Sequence, residues 1–315
     1  MSTPWLSVIC PVFNGEKYLP FALESIVLQG DSDIECLAVD DGSTDATQTI
    51  LNAYRKKIPL QVYHAKNGNW TASTNLALSL AKGEYACFLH QDDIWLKNRL
   101  VTLRDIAQKL PQIDLIVHPS IFISETGKRL GTWKCPLPSY PQITKSSILT
   151  ERLLTQNFIS IPGAIIKRKL ILKVGGMDET LWYTADWDLW LKLSIHTDAV
   201  YYPIPLSGFR VHATSQTVQR SVNEEDFQRQ MTVVAKKHVQ LLNLPASRQR
   251  GIWRVAQFSI KVNTRLAMLI HGEKINCLEL FISFVKLGPS GWRRYFRDSR
   301  ILERAIARIK AKNLK

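Results

Sequence analysis

The first 120 residues alternate between short apolar runs and amphipathic segments, and this alternation constrains the fold more than any other feature. Leu6 to Val12 reads LSVICPV, which is typical of a strand buried on both faces. Further strands are predicted at Ile34 to Val39, Leu60 to His64, Tyr85 to Leu89 and Asp114 to His118. Helical spacing of apolar residues fills the segments between them. Repeated strand–helix–strand units predict an α/β fold with a mostly parallel sheet flanked by helices.

The regular alternation ends near Ile121, and the pattern that follows is less uniform. A hairpin is predicted around residues 125–128, which read ETGK. A further helix is predicted to begin near Asp186, and a short strand follows it at Ala199 to Tyr202. These elements extend the predicted α/β domain to residue 222.

Beyond Asn223 the apolar spacing predicts helices only. They are expected over residues 227–242, 252–270, 273–287 and 301–311. We therefore predict an α/β domain over residues 1–222 and an α-helical C-terminal region over residues 223–315 that ends in a basic amphipathic tail.

Composition places the chain among folded proteins without a membrane span. It has 315 residues, of which 45% are hydrophobic, so disorder is excluded for its bulk. The longest apolar run, Cys277 to Leu287, contains Glu279 and Lys286 and is well short of the ~20 residues that cross a bilayer. Met1 to Cys10 lacks the features of a secretory signal, so a cytosolic location is expected. The five scattered cysteines indicate neither a disulfide framework nor a thiolate metal site.

Two acidic pairs follow predicted strands directly. Asp40 and Asp41 come after the second strand, and Asp92 and Asp93 follow the fourth. Because ligands of such sheets bind beyond the carboxyl ends of the strands, we expect both pairs to face one crevice. Asp92 and Asp93 could instead cap the helix that begins near Leu96, and one of Asp40 and Asp41 could cap the helix that follows them.

Seven motifs together carry a resemblance to a known family. They are PVFNGEKYLPFALESIVLQ, VDDGSTDAT, KNGNWTASTN, GEYACFLHQDDIW, VGGMDE, TADWDLWLKL and FRVH. In order and spacing the chain resembles glycosyltransferase family 2, the inverting, nucleotide-sugar-dependent enzymes of the Rossmann-like GT-A fold, over about residues 6–215. The resemblance implies transfer of a sugar from a nucleotide diphosphate donor. QDDIW is similar to a rhamnosyltransferase-like subset, while hexose and N-acetylhexosamine transfer stay open.

The resemblance also implies a set of donor-binding residues. A bound Mn²⁺ or Mg²⁺ ion would neutralise the diphosphate, and its implied ligands are Asp92, His212 and Asp93. Either Asp40 or Asp41 would hold the base and ribose, and the sequence leaves open which one. The full set of residues implied to bind the nucleotide sugar is Pro11, Val12, Phe13, Asn14, Asp40, Asp41, Asn75, His90, Gln91, Asp92 and Arg210.

Three positions depart from the usual family pattern. His90 replaces the first Asp of the Asp-x-Asp-Asp motif, Thr74 replaces an Arg, and Ala185 replaces a Glu. Because of these departures, an inactive protein that binds nucleotide sugars or acts as a membrane scaffold is an alternative interpretation of the sequence. A nucleotidyltransferase of related topology is a further alternative, but PVFNGEKY offers little of the Gly-rich basic loop that it would need.

The resemblance implies one catalytic base, because inversion needs only the acceptor hydroxyl to be deprotonated as it attacks. Asp186 occupies the family's catalytic position at the start of a predicted helix. Asp188 is the alternative base, with Asp186 then only favoured by the helix macrodipole. Trp187 and Trp190 are expected in the core, with an acceptor-sugar platform as the alternative.

The excess of positive charge is concentrated at the C-terminus. The chain has 41 Lys and Arg against 27 Asp and Glu, a net charge of +14. Residues 291–315 hold nine basic residues and two acids, a net charge of +7. Trp292, Phe296 and Ile301 lie among these arginines, so residues 291–312 are predicted to contact an anionic membrane. The expected location is the inner face of the membrane, where a lipid-linked glycan acceptor would lie. Nucleic acid binding is the less favoured alternative and is not expected; an ordinary solvated helix stays open.

Overall fold

A computed structural model describes residues 3–66, 68–273 and 277–312. The strands in chain order are β1 Leu6–Val12, β2 Ile34–Asp40, β3 Leu60–His64, β4 Tyr85–Phe88, β5 Ile94–Trp95, β6 Leu115–Val117, β7 Ser120–Ile123, β8 Arg129–Trp133, β9 Ile143–Thr144, β10 Ala164–Lys167, β11 Ala199–Tyr201 and β12 Ser207–Arg210. The helices are α1 Leu19–Val27, α2 Thr47–Tyr54, α3 Trp70–Leu80, α4 Arg99–Lys109, α5 Ser146–Thr155, α6 Arg168–Lys173, α7 Ala185–Ser194, α8 Gln216–Arg220, α9 Glu224–Gln240, α10 Ala246–Ile270, α11 Cys277–Val285, α12 Gly288–Asp298 and α13 Ile301–Lys312.

The main sheet has the strand order β3-β2-β1-β4-β10-β6-β11-β9. β3, β2, β1 and β4 pair in parallel, as do β6 and β11. β10 is antiparallel to both β4 and β6, and β9 is antiparallel to β11. Every residue of β1 and β2 is buried, because helices cover both faces of this part of the sheet. The predicted α/β fold with a mostly parallel sheet is therefore confirmed.

A second, four-stranded sheet has the order β5-β12-β7-β8. The predicted hairpin is present in it, since β7 and β8 are antiparallel and the turn between them includes Gly127 at φ 84°. β12 lies parallel to β7 and pairs with the two-residue strand β5. The sequence did not indicate the other two strands of this sheet, because β5 has two residues and β12 has four, which is too short to show a period. Its importance is that β5 and β12 bring the segments around residues 92 and 212 together.

The C-terminal region is helical, as predicted, but its elements differ from the prediction. Phe227 and Met231 of α9 share one apolar core with Trp182 of the α/β part, so packing continues across the predicted boundary at residue 222, which stays a prediction. In place of one helix over residues 273–287, α11 ends at Val285 and α12 begins at Gly288. None of the described helices is both long and apolar enough to span a bilayer.

The predicted helix over residues 301–311 is present as α13, and a helix that was not predicted, α12, precedes it. α12 and α13 are separated at Ser299 and Arg300, and Arg300 adopts a φ of 49°, a left-handed conformation that ends a helix. Tyr295 and Ile301 pack against α10 and α11 because apolar partners are available there. The side chains of Arg304, Arg308 and Lys312, and the whole of Lys315, which the tail charge includes, lie outside the described residues.

Candidate active site

The loops that follow β1, β2 and β4 are joined into one surface at the carboxyl edge of the sheet. Gln91 pairs with the backbone of Phe13, accepting from its N–H at 2.8 Å and donating to its carbonyl at 2.9 Å. Asn14, at φ 47°, accepts from the backbone N–H of Thr44 at 2.9 Å, and Ser43 Oγ accepts from the N–H of Asn14 at 2.9 Å. Three loops are thus held in fixed register by side-chain to backbone hydrogen bonds.

The end of β1 brings the residues predicted to bind the nucleotide to this edge. Pro11 and Val12 are buried in the strand, and the Val12 carbonyl accepts from the N–H of Asp41 at 2.9 Å. Phe13 follows them and is half exposed, so its ring is available for contact with a planar base.

Asp40 and Asp41 have different surroundings. Asp40 is buried, and its carboxylate accepts from the backbone N–H of Ser43 at 3.0 Å. Asp41 is half-buried and accepts from the N–H groups of Gly68 and Asn69 at 3.1 and 2.9 Å. Asp40 therefore holds the turn into α2, whereas Asp41 organises the start of α3 and is the more accessible of the two.

Asp92 and His212 meet across 120 residues of sequence. The Asp92 Oδ2 and His212 Nε2 atoms lie 2.9 Å apart, and His212 Nδ1 contacts Thr214 Oγ1 at 2.9 Å. Burial alone would raise the pKa of Asp92, but the hydrogen bond and charge of His212 hold that pKa below its usual value. A charged carboxylate and an imidazole therefore lie side by side at the loop after β4.

Asp93 points away from this pair, into the protein. Its Oδ1 atom accepts from the backbone N–H of Arg210 at 3.0 Å, and only 1% of the residue is exposed. Burial, together with the neighbouring charge of Asp92, raises the pKa of the Asp93 carboxyl well above its usual value. Asp93 thus fastens β12 to the loop, and this geometry does not favour the predicted role of metal ligand.

Arg210 is also engaged internally. Its guanidinium donates to the backbone carbonyls of Asp92, Ser124 and Glu125 at 2.8 to 3.1 Å. The ring of Tyr18 lies 4.9 Å from the centre of that guanidinium. Arg210 is only 4% exposed, and its hydrogen bonds join three segments of the chain. This burial does not favour the predicted contact with phosphate.

Asn75 and His90 likewise face other protein groups. Asn75 donates to the Met177 carbonyl at 2.9 Å and accepts from the Met177 N–H at 2.9 Å, which ties α3 to the VGGMDE loop. His90 packs its ring against Trp70 with the centroids 5.0 Å apart. Burial lowers the pKa of His90, which favours the neutral imidazole, although Asp92 opposes the shift. Neither residue contacts the Asp92–His212 pair by a hydrogen bond that the structure describes.

Asp186 reaches the same edge of the sheet by a different route. Because β10 is antiparallel to β4, the loop that enters β10 lies at the carboxyl end of β4. That loop contains Asn157, whose Nδ2 donates to Asp186 Oδ2 at 2.9 Å, while Asp186 Oδ1 accepts from the N–H of Trp187 at 2.7 Å. Sequence reasoning missed Asn157, since it lies 29 residues before Asp186 and in none of the recognised motifs.

Asp188 is directed into the interior instead. It has no exposed surface and contacts Lys192 at 2.8 Å, Lys237 at 3.0 Å and His238 at 2.7 Å. This network joins α7 to α9. Trp187 and Trp190 are buried, as the core interpretation predicted. Asp186 is therefore the half-buried carboxylate at the start of α7, and Asp188 is the buried one.

A metal ion at this edge would have few protein ligands. Among the described residues, no group of three or more His, Cys, Asp and Glu side chains is placed to hold an ion. The Asp92–His212 pair offers one oxygen and one nitrogen. Nucleotide-bound cations need only one or two protein ligands, because phosphate oxygens and water complete the shell. This donor pair is thus compatible with an ion that arrives with a diphosphate.

Comparisons with known proteins add the following findings. The family model described as glycosyl transferase family 2 matches residues 7–175. An uncharacterized glycosyltransferase of Rickettsia typhi is 30% identical over 233 residues, covering 70% of this chain and 68% of the relative. The crystal structure of S. aureus TarS 1-349 in complex with UDP-GlcNAc has a TM-score of 0.67 at 19% identity, covering 98% and 92% of the two chains. The mannosyltransferase PcManGT from Pyrobaculum calidifontis, in complex with GDP-Man and Mn²⁺, has a TM-score of 0.57 at 15% identity, covering 100% and 89%.

Proposed function

This chain belongs to glycosyltransferase family 2, and from that premise we propose that it moves a sugar, with inversion, from a nucleotide diphosphate donor to a hydroxyl of a growing glycan. The observation that carries the proposal is the assembly of Asp41, Asp92 and Asp186 at one edge of the sheet. Ligands of α/β sheets bind at this edge. The similarity of the fold to a UDP-GlcNAc complex and to a GDP-Man complex supports a nucleotide sugar as the donor and leaves its base and sugar open.

Asp186 is proposed as the general base. In an inverting transfer, the acceptor oxygen forms a bond to the anomeric carbon as the bond to the leaving diphosphate breaks. The hydroxyl proton passes to the Asp186 carboxylate. Its position in the first turn of α7 stabilises the charged form through the helix macrodipole, and Asn157 fixes the direction of Oδ2. A carboxylate that is held but half-buried can receive a proton from an incoming hydroxyl.

Asp92 and His212 are proposed to hold the metal ion that accompanies the donor. The ion would neutralise negative charge on the leaving diphosphate. Imidazole nitrogen suits transition metals better than Mg²⁺, so Mn²⁺ fits this pair better. Asp41 and Phe13 are proposed to contact the nucleoside. Asp93, Arg210 and Asn75 are proposed to keep the loops in place.

The acceptor is proposed to be a lipid-linked glycan at the inner face of a membrane. The net charge of +14 and the basic C-terminal helices support contact with anionic lipid at that face. A lipid-linked acceptor would then be presented to a protein already at the surface.

The test is metal-dependent binding and hydrolysis of a nucleotide sugar. The chain with Mn²⁺ should slowly release nucleotide diphosphate from its donor, and calorimetry with the diphosphate should show binding that needs Mn²⁺. Asp92→Ala should weaken that binding at least about tenfold, because the ion loses a charged ligand. Asp105→Ala is the matched control, since Asp105 is an exposed carboxylate of α4 paired with Lys109. Equal affinity of both variants for the diphosphate would contradict the placing of the site.

One rival function has a specific observation behind it. His90, Thr74 and Ala185 depart from the family pattern, so a protein that binds nucleotide sugars without transferring them is the second candidate. Binding of a donor without any hydrolysis or transfer, across a panel of nucleotide sugars with Mn²⁺, would favour it.

A further inference from the structure

Helix α11 has its apolar face turned outward. Leu278, Phe281, Ile282 and Val285 follow the i, i+3, i+4, i+7 spacing of one helix face, and their exposed fractions are 68%, 62%, 45% and 50%. A helix on a folded domain normally buries such a face against the core. Contiguous exposed apolar surface of this kind marks a contact site.

The opposite face of α11, which carries Glu279, Ser283 and Phe284, packs on the protein. Lys261 of α10 donates to Glu279 at 2.8 Å and to Ser283 at 3.1 Å. Arg265, one turn further along α10, contacts Glu279 at 3.5 Å. These ion pairs, together with the packing of Phe284 on Phe258, orient α11 so that Phe281 and its neighbours are exposed.

The segment that follows this face carries exposed positive charge. Lys286 and Arg293 are both exposed there. The two acids of residues 277–298 are both taken up internally: Glu279 pairs with α10, and Asp298 is fully buried and contacts Arg297 at 2.7 Å. Exposed cations thus follow an apolar helix face, an arrangement that suits anionic lipid headgroups and the acyl boundary beneath them.

Phe296 of α12 extends the apolar face. It is 64% exposed, and its ring lies 5.7 Å from that of Phe284 in α11. Trp292, which the sequence assigned to the membrane, instead stacks on Phe284 and donates to the Phe284 carbonyl at 2.6 Å. Ile301 also packs internally. The main apolar contact therefore lies before the predicted tail segment.

We propose that α11, together with Phe296, is the part of this chain that enters the surface of an anionic bilayer. The proposal rests on the membrane contact of the proposed function and locates it. Four residues of a nine-residue helix span about 10 Å along the axis, which suits a helix lying in the plane of the interface.

A second copy of the chain is the less suitable occupant. A symmetric dimer through this face would bring two copies of the same positively charged segment close together. A stable interface also needs about 800 Å² from each partner, more than five exposed side chains provide. Lipid phosphates, in contrast, would neutralise these cations.

The experiment measures co-sedimentation of the full chain with vesicles of phosphatidylcholine containing phosphatidylglycerol. Phe281→Ser with Val285→Ser should lower the partition coefficient at least about tenfold, because the inserted surface is lost. Leu302→Ser with Ile306→Ser is the matched control, since it removes two similarly exposed residues of α13, and it should change binding less than about threefold. Binding by the wild type should fall as salt is raised.

The native cysteines give a second readout. Cys277, at the start of α11, is exposed, whereas Cys10, Cys36, Cys87 and Cys135 are buried. A polarity-sensitive dye on Cys277 should shift its emission to the blue when anionic vesicles are added. No shift, with vesicle binding intact, would overturn the assignment of α11.

Three further results would also overturn the inference. They are loss of binding in the α13 variant alone, a dimer in sedimentation velocity that the α11 variant abolishes, and tighter binding to nucleic acid than to vesicles at equal salt. Donor hydrolysis in vesicle-free solution should be the same in both variants. Absence of donor hydrolysis in the wild type would contradict the proposed function. The vesicle experiment would still test whether α11 binds the bilayer.

Discussion

Asp186 and Asp188 are two residues apart on the same helix, yet the structure predicts opposite consequences for the same substitution. Asp186→Asn should lower turnover, whereas Asp188→Asn should lower stability. Both changes replace a carboxylate by an amide of nearly equal volume, so the two variants differ only in the position of the lost charge. Comparing their turnover and stability therefore decides which of the two residues is the catalytic base.

For Asp186→Asn, the loss is the proton acceptor. General-base removal lowers turnover by roughly 10²- to 10⁴-fold, which corresponds to about 3 to 5 kcal/mol in the activation barrier. The side chain is half-buried, and the amide retains an oxygen that can accept from Asn157. We expect the free energy of unfolding to change by no more than about 1 kcal/mol, the size of a helix-macrodipole contribution. Donor affinity should be unchanged.

For Asp188→Asn, the loss is the negative partner of a buried network. Lys192, Lys237 and His238 all approach this carboxylate within 3.0 Å. Removing one partner of a buried ion pair costs about 3 to 5 kcal/mol, and the Asn amide donors would face other donors. At the roughly 2 to 4 °C per kcal/mol typical of large domains, the melting temperature should fall by at least about 6 °C.

The acid sensitivity of the chain should change with Asp188 as well. Burial alone would raise the pKa of Asp188, but the hydrogen bonds from His238 and Lys192 hold that pKa well below its usual value. A carboxyl whose pKa is lowered by folding contributes stability above its unfolded pKa of about 3.9 and loses it as the pH falls. Melting temperatures between pH 6 and pH 2 should therefore decline less steeply in Asp188→Asn than in the wild type.

The assays are steady-state donor hydrolysis or transfer at 25 °C and calorimetric melting of each purified variant. If Asp186→Asn keeps near-full turnover while Asp188→Asn loses it without a fall in melting temperature, the assignment of the base is refuted. Loss of turnover in Asp188→Asn that parallels its loss of folded protein agrees with the structural role.

Two other substitutions test the supports of the site. Gly176→Ala should lower the free energy of unfolding by about 1 to 3 kcal/mol, because Gly176 has a φ of 64° and a Cβ there would lie 2.6 Å from Asn75 Oδ1. A melting temperature equal to that of the wild type would contradict this expectation. Asn157→Ala should lower turnover by roughly tenfold, because Asp186 loses the hydrogen bond that fixes the direction of its Oδ2 atom, and turnover equal to the wild type would deny Asn157 this role.

Much of the fold could be predicted from local pattern. Apolar runs such as LSVICPV, separated by helical spacing, indicated the parallel strands and the helices between them. Strands β5 and β12 of the second sheet could not be predicted, because they have only two and four residues and show no period. Helix α12 was also missed, because Gly288, Pro289 and Gly291 near its start are poor helix formers.

The candidate site was predicted in part. The motifs located the three loops at the sheet edge and Asp186 at the start of α7, and the structure brings Asp92 together with His212. Arg210, Asn75 and Asp93 belong to the same motifs but have backbone partners. A motif records that a residue type is needed, and it does not distinguish contact with substrate from support of a loop.

The sequence by itself determined the order of the parallel strands and helices of the first 120 residues and the placing of acidic residues at strand ends, because these depend on apolar runs and on the 3.6-residue period within one segment. Only the tertiary structure decided which carboxylate of a neighbouring pair is accessible. Asp93 is turned inward by the N–H of Arg210, and Asp188 by His238, each from a distant part of the chain. Lys261 likewise turns α11 so that Phe281 faces outward. A side chain's direction depends on the partner that satisfies its charge, and distant partners become neighbours only when the chain folds.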